Sequence, residues 1–404
     1  MNYRPFIVSW NTTRRCNLRC AHCYLDAREL ESGGEGELTT GEGVELIDSI
    51  AALNPRAFLV LTGGEPLLRE DILELASVAS SRGLIVLLGT NGILLGEGAA
   101  RKLKGSGVEG IGVSIHSLDA RIHDSFTGLE GSLSRVTEGI AACRREGLDF
   151  QVQTVARREN LDEIPAIIGY SREVGAKAFN LFFLVCTGRG QGLTDLTAEQ
   201  YEEALSLLME EHMGSKDMII RARCAPHFKR VVRQRSPGDF PAGAEMSGCL
   251  AATHYCRVTP EGDVTPCPYM PLRAGNLRET SFESIWQGSH LFRTLRTSAL
   301  KGKCGLCEFN EICGGCRARA LAMKGDPMEE DPWCLYEPSE VEARPEREDE
   351  EPEWTREAEE RLGKIPFFIR GYVKRAIIGY AKREGISAIT PEILHEVKRK
   401  VKPH

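Results

Sequence analysis

At 404 residues the chain is too long for one ordinary hydrophobic core, so two or three domains are expected. With 42% hydrophobic and 27% charged residues it reads as a globular protein, and a net charge of -7 gives no general case for a nucleic-acid partner. No basic-then-apolar leader opens it and no apolar run reaches membrane-spanning length, so it is read as cytoplasmic; fourteen cysteines in such a chain argue for metal ligation rather than disulfides.

The first apolar run, Phe6 to Trp10, predicts a strand. Cys16, Cys20 and Cys23 follow it in a CxxxCxxC spacing. Three thiolates at this spacing suit three irons of a 4Fe-4S cube and leave one iron open, whereas ferredoxin-type runs supply a full set. The alternative is a structural zinc site, which prefers a fourth Cys or His and CxxC-type pairs. Further strands are predicted at Ala57 to Leu61, Leu84 to Leu88, Gly110 to Ser114, Phe150 to Val155 and Ala178 to Val185. Amphipathic stretches lie between them, one opening on a capping box in which Thr39 and Glu42 satisfy end N–H groups. This alternation over residues 1–215 predicts an α/β fold, a partial (β/α)6 TIM-like barrel with its chemistry at the C-terminal strand ends.

The polar residues at those ends fall into order. Gly63-Gly64-Glu65-Pro66 follows the second strand, Asn91 ends the third, Ser114 ends the fourth and Gln153 lies on the fifth. Taken singly each reads as a turn or loop contact. The sixth strand runs into Cys186-Thr187-Gly188-Arg189-Gly190, where Arg189 is either a carboxylate partner or a solvated arginine in a Gly-rich turn. Cys143, on an amphipathic stretch, reads as packing.

The cysteine motif resembles the signature of the radical S-adenosylmethionine (SAM) enzymes, and GGEP after the second strand strengthens the resemblance. It implies that the open iron chelates the amino and carboxylate groups of SAM, and that an electron from the cube yields methionine and a 5'-deoxyadenosyl radical. It further implies that Gly63, Gly64, Glu65 and Pro66 contact the SAM amino group, that Asn91, Ser114 and Gln153 reach ribose or carboxylate, and that Val185 lies against adenine. Many relatives carry Asp where His116 stands here. An electron donor such as ferredoxin or flavodoxin is the implied protein partner.

Beyond the barrel come Cys249, Cys256 and Cys267, with a hairpin turn predicted around Gly262, and then Cys304, Cys307, Cys313, Cys316 and Cys334. Zinc ribbons also use CxxC pairs. The order resembles the SPASM domain, a cysteine-rich iron-sulfur module, placed here at 216–336. That resemblance implies two auxiliary 4Fe-4S clusters, one on Cys249, Cys256, Cys267 and Cys316 and one on Cys304, Cys307, Cys313 and Cys334. The last pair is CxxC where the family usually has CxxxC. Ahead of these cysteines the stretch 221–235 holds seven potentially cationic residues in fifteen. Arg221, Arg223, His227, Arg230 and Arg233 are candidate clamps for a substrate's carboxylates, because Arg forks bind them bidentately. A solvated helix face is the plain alternative, Cys224 and His227 are also placed to touch a metal centre, and no nucleic-acid module is present.

Residues 337–353 carry nine acidic residues, two arginines and three prolines and read as a linker. Residues 354–404 reverse the sign, with twelve Lys and Arg against six Glu, and show helical periodicity at Ile369, Val373 and Ile377. This small helical tail resembles the C-terminal domain of light-independent protochlorophyllide reductase, which implies a tetrapyrrole nearby, with Phe367 and Phe368 against its apolar face. Over about 5–338 the chain resembles the heme-precursor branch of the superfamily, which includes the Fe-coproporphyrin decarboxylase and the enzymes that act on didecarboxysiroheme or build d-type heme. Decarboxylation of an iron porphyrin's propionates to vinyl groups is the implied reaction, with an auxiliary cluster as electron acceptor. A SPASM-type peptide maturase and a non-enzymatic electron carrier are the rival readings.

Overall fold

A computed structural model describes residues 3–27, 36–193, 196–215, 217–235, 248–338, 352–363, 373–374, 377–378, 380–381 and 386–400. The six predicted strands form as β1 (Ile7–Asn11), β2 (Phe58–Thr62), β3 (Ile85–Thr90), β4 (Val108–Ser114), β5 (Asp149–Ala156) and β6 (Ala178–Phe183). Each pairs in parallel with the next, and helices such as Thr40–Leu53, Ile72–Ser81, Ser132–Glu146 and Ile164–Glu173 fill the crossovers. The Thr39–Glu42 capping box is present at the first helix, with the Thr39 N–H donating to Glu42 Oε2 at 2.8 Å and the Glu42 N–H donating to Thr39 Oγ1 at 3.3 Å.

Four more strands extend the sheet. β7 (Ile219–Arg223) adds in parallel beside β6, and β8 (Tyr255–Val258) adds in parallel on the far side of β1. β9 (Asp263–Thr265) and β10 (Gly275–Asn276) continue antiparallel from β8, the first through the predicted hairpin, where Gly262 holds φ +86°. The order is β10-β9-β8-β1-β2-β3-β4-β5-β6-β7. Cysteine-rich and barrel segments therefore share one sheet, and the described residues fall into two compact units, Met1–Ser339 and Glu340–His404.

Strand alternation sorts the side chains of this sheet into two populations. Val8, Trp10, Leu59, Leu61, Val86, Leu88, Ile111, Val113, Val152, Phe179, Leu181 and Ile220 are fully buried against the helices. Truncating one such residue, Leu59→Ala for example, is worth about 2–5 kcal/mol. The opposite face carries Ser9, Asn11, Thr62, Ser114, Gln151, Gln153, Asn180, Arg221 and Arg223.

The second unit has its own small core of Ala358, Ile377, Tyr380, Ala381, Ile389 and Val397, with Val373 packed on it, and a two-stranded parallel pair, Glu353–Trp354 with Ala388–Ile389. Val373 and Ile377 thus take the apolar positions their spacing predicts. Ile369, Phe367 and Phe368 lie outside the described residues. Among the described residues no helix is long and apolar enough to cross a membrane.

Candidate active site

The loop after β1 brings Cys16, Cys20 and Cys23 together around a small apolar cluster of Leu18, Leu25 and Ala27. Burial pushes the Cys16 thiol up to about 11, with the charges of Glu65 and Cys23 adding to it, and pushes Cys20 up to about 12, with Cys16 and Cys23 adding. Thiols in this state exchange their protons for metal rather than ionising alone. Among the described residues no three or more His, Cys, Asp or Glu close in on a single metal ion. The ligands of a four-iron cube each hold a different iron and stand further apart than those of one ion, so the donor set fits the cube.

Two straps hold this loop. The first is GGEP. Gly64 N–H donates to Thr13 O at 2.8 Å and Glu65 N–H to Arg15 O at 2.7 Å, so the motif lies backbone to backbone on the residues just before Cys16. A Cβ on Gly63 would stand 2.6 Å from Thr13 O, and one on Gly64 would stand 2.1 Å from Arg15 O, which is why both positions are glycine. Pro66, buried, opens a 3-10 turn, Pro66–Leu68. Glu65 is fully buried, and its carboxylate accepts from Thr90 Oγ1 at 2.8 Å, from the Asn91 N–H at 2.9 Å and from the Leu67 N–H at 3.0 Å. Burial outweighs these hydrogen bonds and raises the carboxyl to about 7. Asn91, fixed by Glu65, donates through Nδ2 to Asn17 Oδ1 at 2.7 Å and reaches Cys16 Sγ at 3.8 Å.

The second strap is Arg189. Its guanidinium donates to Cys20 O at 3.1 Å, Ala27 O at 2.6 Å and Asp26 Oδ1 at 2.9 Å, while its N–H donates to Cys23 O at 3.1 Å. Its carboxylate partner is therefore Asp26 of the chain itself. Val185, expected against adenine, is buried beside Met270 and Cys316. His116 is buried, is in edge-on contact with His22 and Phe126, and accepts the Val155 N–H at 3.3 Å. Cys143 packs in the core as expected, and Cys186 is half-buried after β6.

The open face of the sheet places Ser114, Gln153, Asn180 and Arg221 in one cross-strand row, paired Ser114↔Gln153, Gln153↔Asn180 and Asn180↔Arg221. Asn180, which the sequence reading did not single out, accepts from Arg223 Nε at 2.9 Å and donates to Gln151 Oε1 at 2.9 Å. Its signal was one amide in an otherwise apolar strand. Arg223 is lowered to about 10 by burial and then by the charge of Arg221, and Arg221 is lowered by burial. Among the described residues no carboxylate forms an ion pair with either.

Of the other three expected clamps, two are committed to partners within the chain and the third is not on the open face of the sheet. His227 is fully buried, 2.7 Å from Tyr201 Oη through Nδ1 and 3.6 Å from Asp331 through Nε2, and burial lowers it to about 4. Arg230 is buried and held by Glu202 at 2.5 Å and Gln234 at 2.7 Å. Arg233 lies on the exposed face of the helix His227–Arg235.

Of the later cysteines, Cys304, Cys307, Cys313 and Cys334 gather as one set. Burial raises Cys313 to about 12 with Cys334 and Cys304 adding, raises Cys334 to about 11 with Cys304 adding, and raises Cys307 with Cys304 again contributing. Cys249, Cys267 and Cys316 form a second set, in which burial and then the charges of Cys249 and Cys316 raise Cys267. Cys256 is not with them. It sits on β8, opposite Val8 in register, fully buried in the apolar core, because strand alternation turns it to the helix-covered face. Tyr24, next to Cys23, and Tyr269, two residues after Cys267, meet edge to face at 5.4 Å between the two sites.

Comparison with known proteins agrees with this geometry. The radical SAM superfamily matches residues 10–170, an iron-sulfur cluster-binding domain (SPASM) matches 249–317, and the proto-chlorophyllide reductase 57 kD subunit matches 354–398. The AdoMet-dependent heme synthase of Methanosarcina barkeri (strain Fusaro / DSM 804) is 40% identical over 84% of this chain and 98% of its own length. The Fe-coproporphyrin III synthase of the same strain is 29% identical over 83% and 89%. Among solved structures, SuiB of Streptococcus suis bound to S-adenosylmethionine superposes with a TM-score of 0.66 at 16% identity, over 83% of this chain and 78% of that one, a likeness of fold.

Proposed function

The chain belongs to the radical SAM superfamily, in its SPASM-bearing heme-biosynthesis branch, and from that premise we propose that it converts propionates of Fe-coproporphyrin to vinyl groups with loss of CO₂. The observation that carries the reading is the 40% identity to an AdoMet-dependent heme synthase across nearly all of that protein. Arg221 and Arg223 support it from within the site. Two neighbouring guanidiniums, half-buried and without a carboxylate partner among the described residues, are stabilised by a substrate that brings its own carboxylates.

Cys16, Cys20 and Cys23 hold the SAM-cleaving cluster, and when bound it supplies with SAM a carbon radical able to take hydrogen from an unactivated carbon. GGEP and Arg189 keep those thiols in place. Asn91, Ser114 and Gln153 line the approach to them with amide and hydroxyl groups suited to a ribose and an amino-acid carboxylate. Arg221 and Arg223 bind propionates and fix which β-carbon faces the site. Each propionate converted leaves one hydrogen atom, one electron and CO₂, so an electron acceptor near β7 is part of the requirement. Electrons for SAM cleavage come from a ferredoxin or flavodoxin.

The test is anaerobic turnover with SAM, reductant and Fe-coproporphyrin, followed by mass spectrometry. Release of CO₂ and a mass change matching vinyl formation are expected. Failure of any heme precursor to bind, with a peptide consuming SAM instead, overturns the reading in favour of a maturase.

A further inference from the structure

We propose that Cys224, and not Cys256, is the fourth thiolate of the auxiliary cluster beside the barrel, completing a set with Cys249, Cys267 and Cys316. The inference rests on the presence of auxiliary clusters and is independent of which substrate the enzyme takes.

Three independent observations converge on Cys224. The first is packing: half-buried Cys224 and Cys267 pack against the same small buried cluster that holds Cys316, Val185 and Met270, whereas Cys256 lies in the main core with Val8 and Trp10. A strand residue cannot serve both faces of its sheet, and turning Cys256 toward the other thiols would expose Tyr255 and Arg257 to the core in its place.

The second is backbone conformation. Cys224 follows β7 with φ +58°, one of three non-glycine residues at positive φ among the described residues. For a side chain with a Cβ this conformation is unfavourable and persists only where the surroundings impose it. Here it turns the thiol out of the strand direction and into the Cys267–Cys316 cluster.

The third is the way the two loops are tied. Arg319, fully buried, donates to Cys224 O at 2.9 Å and to Asp331 Oδ2 at 2.8 Å, and the same Asp331 oxygen accepts the Cys316 N–H at 2.7 Å. One ion pair thus holds the backbones of Cys224 and Cys316, which are 92 residues apart in the chain. Ligation by Cys224 places this cluster directly after Arg221 and Arg223 on one strand, so the same element carries the substrate clamp and the electron acceptor.

The experiment uses the full-length chain, reconstituted anaerobically with iron and sulfide, as Cys224→Ala, Cys224→Ser, Cys256→Ala, Cys256→Val and, for reference, Cys267→Ala. The readouts are iron and sulfide per chain and the EPR spectrum of the reduced clusters, with SAM-dependent 5'-deoxyadenosine formation reporting that the barrel is intact. Three four-iron clusters correspond to about twelve irons. Cys256→Val, which refills the core, is expected to keep all of them and the parent spectrum, as is any folded Cys256→Ala. Both Cys224 variants are expected to match Cys267→Ala, with loss of about four irons or a changed auxiliary signal. Parent iron and spectrum in Cys224→Ala, or loss of a cluster in a folded Cys256→Val, overturns the proposal. None of these readouts involves a porphyrin, so a wrong substrate leaves the result interpretable.

Discussion

Replacing Glu65 with Gln tests whether GGEP acts through its hydrogen bonds to the chain. Glu65 is fully buried and, once ionised above about pH 7, accept-only, with the Leu67 N–H at 3.0 Å on one oxygen, the Asn91 N–H at 2.9 Å on the other, and Thr90 Oγ1 at 2.8 Å from both. A carboxamide must turn its NH₂ toward one of the two backbone N–H groups, leaving that buried donor unpaired. The cost is about 1–3 kcal/mol. Because Asn91 connects this carboxylate to Asn17 and Cys16, the loss spreads to the cluster loop, and displacement of reacting groups by about 1 Å lowers the rate of 5'-deoxyadenosine formation by about a hundredfold. Urea unfolding followed by circular dichroism reads the first effect, and chromatographic assay of 5'-deoxyadenosine reads the second. The folded carboxyl is raised to about 7, above its ordinary value, so the stability it contributes is complete at low pH and declines as pH rises through about 7. The gap between parent and variant therefore narrows with rising pH. A Gln variant that unfolds at the parent's urea concentration at pH 8 and cleaves SAM at the parent's rate refutes the reasoning.

Four further outcomes follow from the same contacts. Ala at Cys16, Cys20 and Cys23 together abolishes 5'-deoxyadenosine formation and leaves about eight of about twelve irons, counted by iron assay; persistent SAM cleavage in that variant sinks the assignment. Arg221→Gln and Arg223→Gln each lower turnover of Fe-coproporphyrin about a hundredfold while sparing SAM cleavage without substrate, whereas Arg233→Gln leaves both at the parent's rate; equal effects of all three argue against a clamp on β7. Tyr201→Phe removes the partner of His227 Nδ1 and lowers stability by about 1–3 kcal/mol without altering the KM for porphyrin, measured by unfolding and steady-state kinetics. Arg189→Lys, with one ammonium for Cys20 O, Ala27 O and Asp26, releases cluster iron to a chelator faster than the parent does, and an unchanged release rate contradicts the strap.

The strands were legible because each is a short apolar run bounded by polar or glycine residues, and local pattern is enough to place β1 to β6 within about two residues of their observed ends. β7 was not read as a strand, since Ile219–Arg223 alternates apolar residues with arginines and so looks like the start of a basic helix. That is also why five cations were grouped as one clamp. Period-two alternation puts Arg221 and Arg223 on the open face, and after Cys224 the chain becomes helical, carrying His227 and Arg230 inward to Tyr201 and Glu202 and Arg233 outward.

The same limit explains the cysteines. Spacing along the chain reports which thiols are near one another in sequence, and it was sufficient for Cys16, Cys20 and Cys23 on one loop and for Cys304, Cys307 and Cys313, where turns and a single helical turn leave little choice of direction. It does not report the face of a sheet. Cys249 and Cys256 are seven residues apart, yet a strand begins at Tyr255 between them, and its pairing with β1 fixes Cys256 opposite Val8. Whether a cysteine in a strand is a ligand is therefore decided by the parity of its position relative to its partner strand, a long-range quantity. For Cys256 that parity is set by the pairing of β8 with β1, some 248 residues away in the sequence, and the thiol proposed in its place, Cys224, follows β7 at the opposite edge of the sheet.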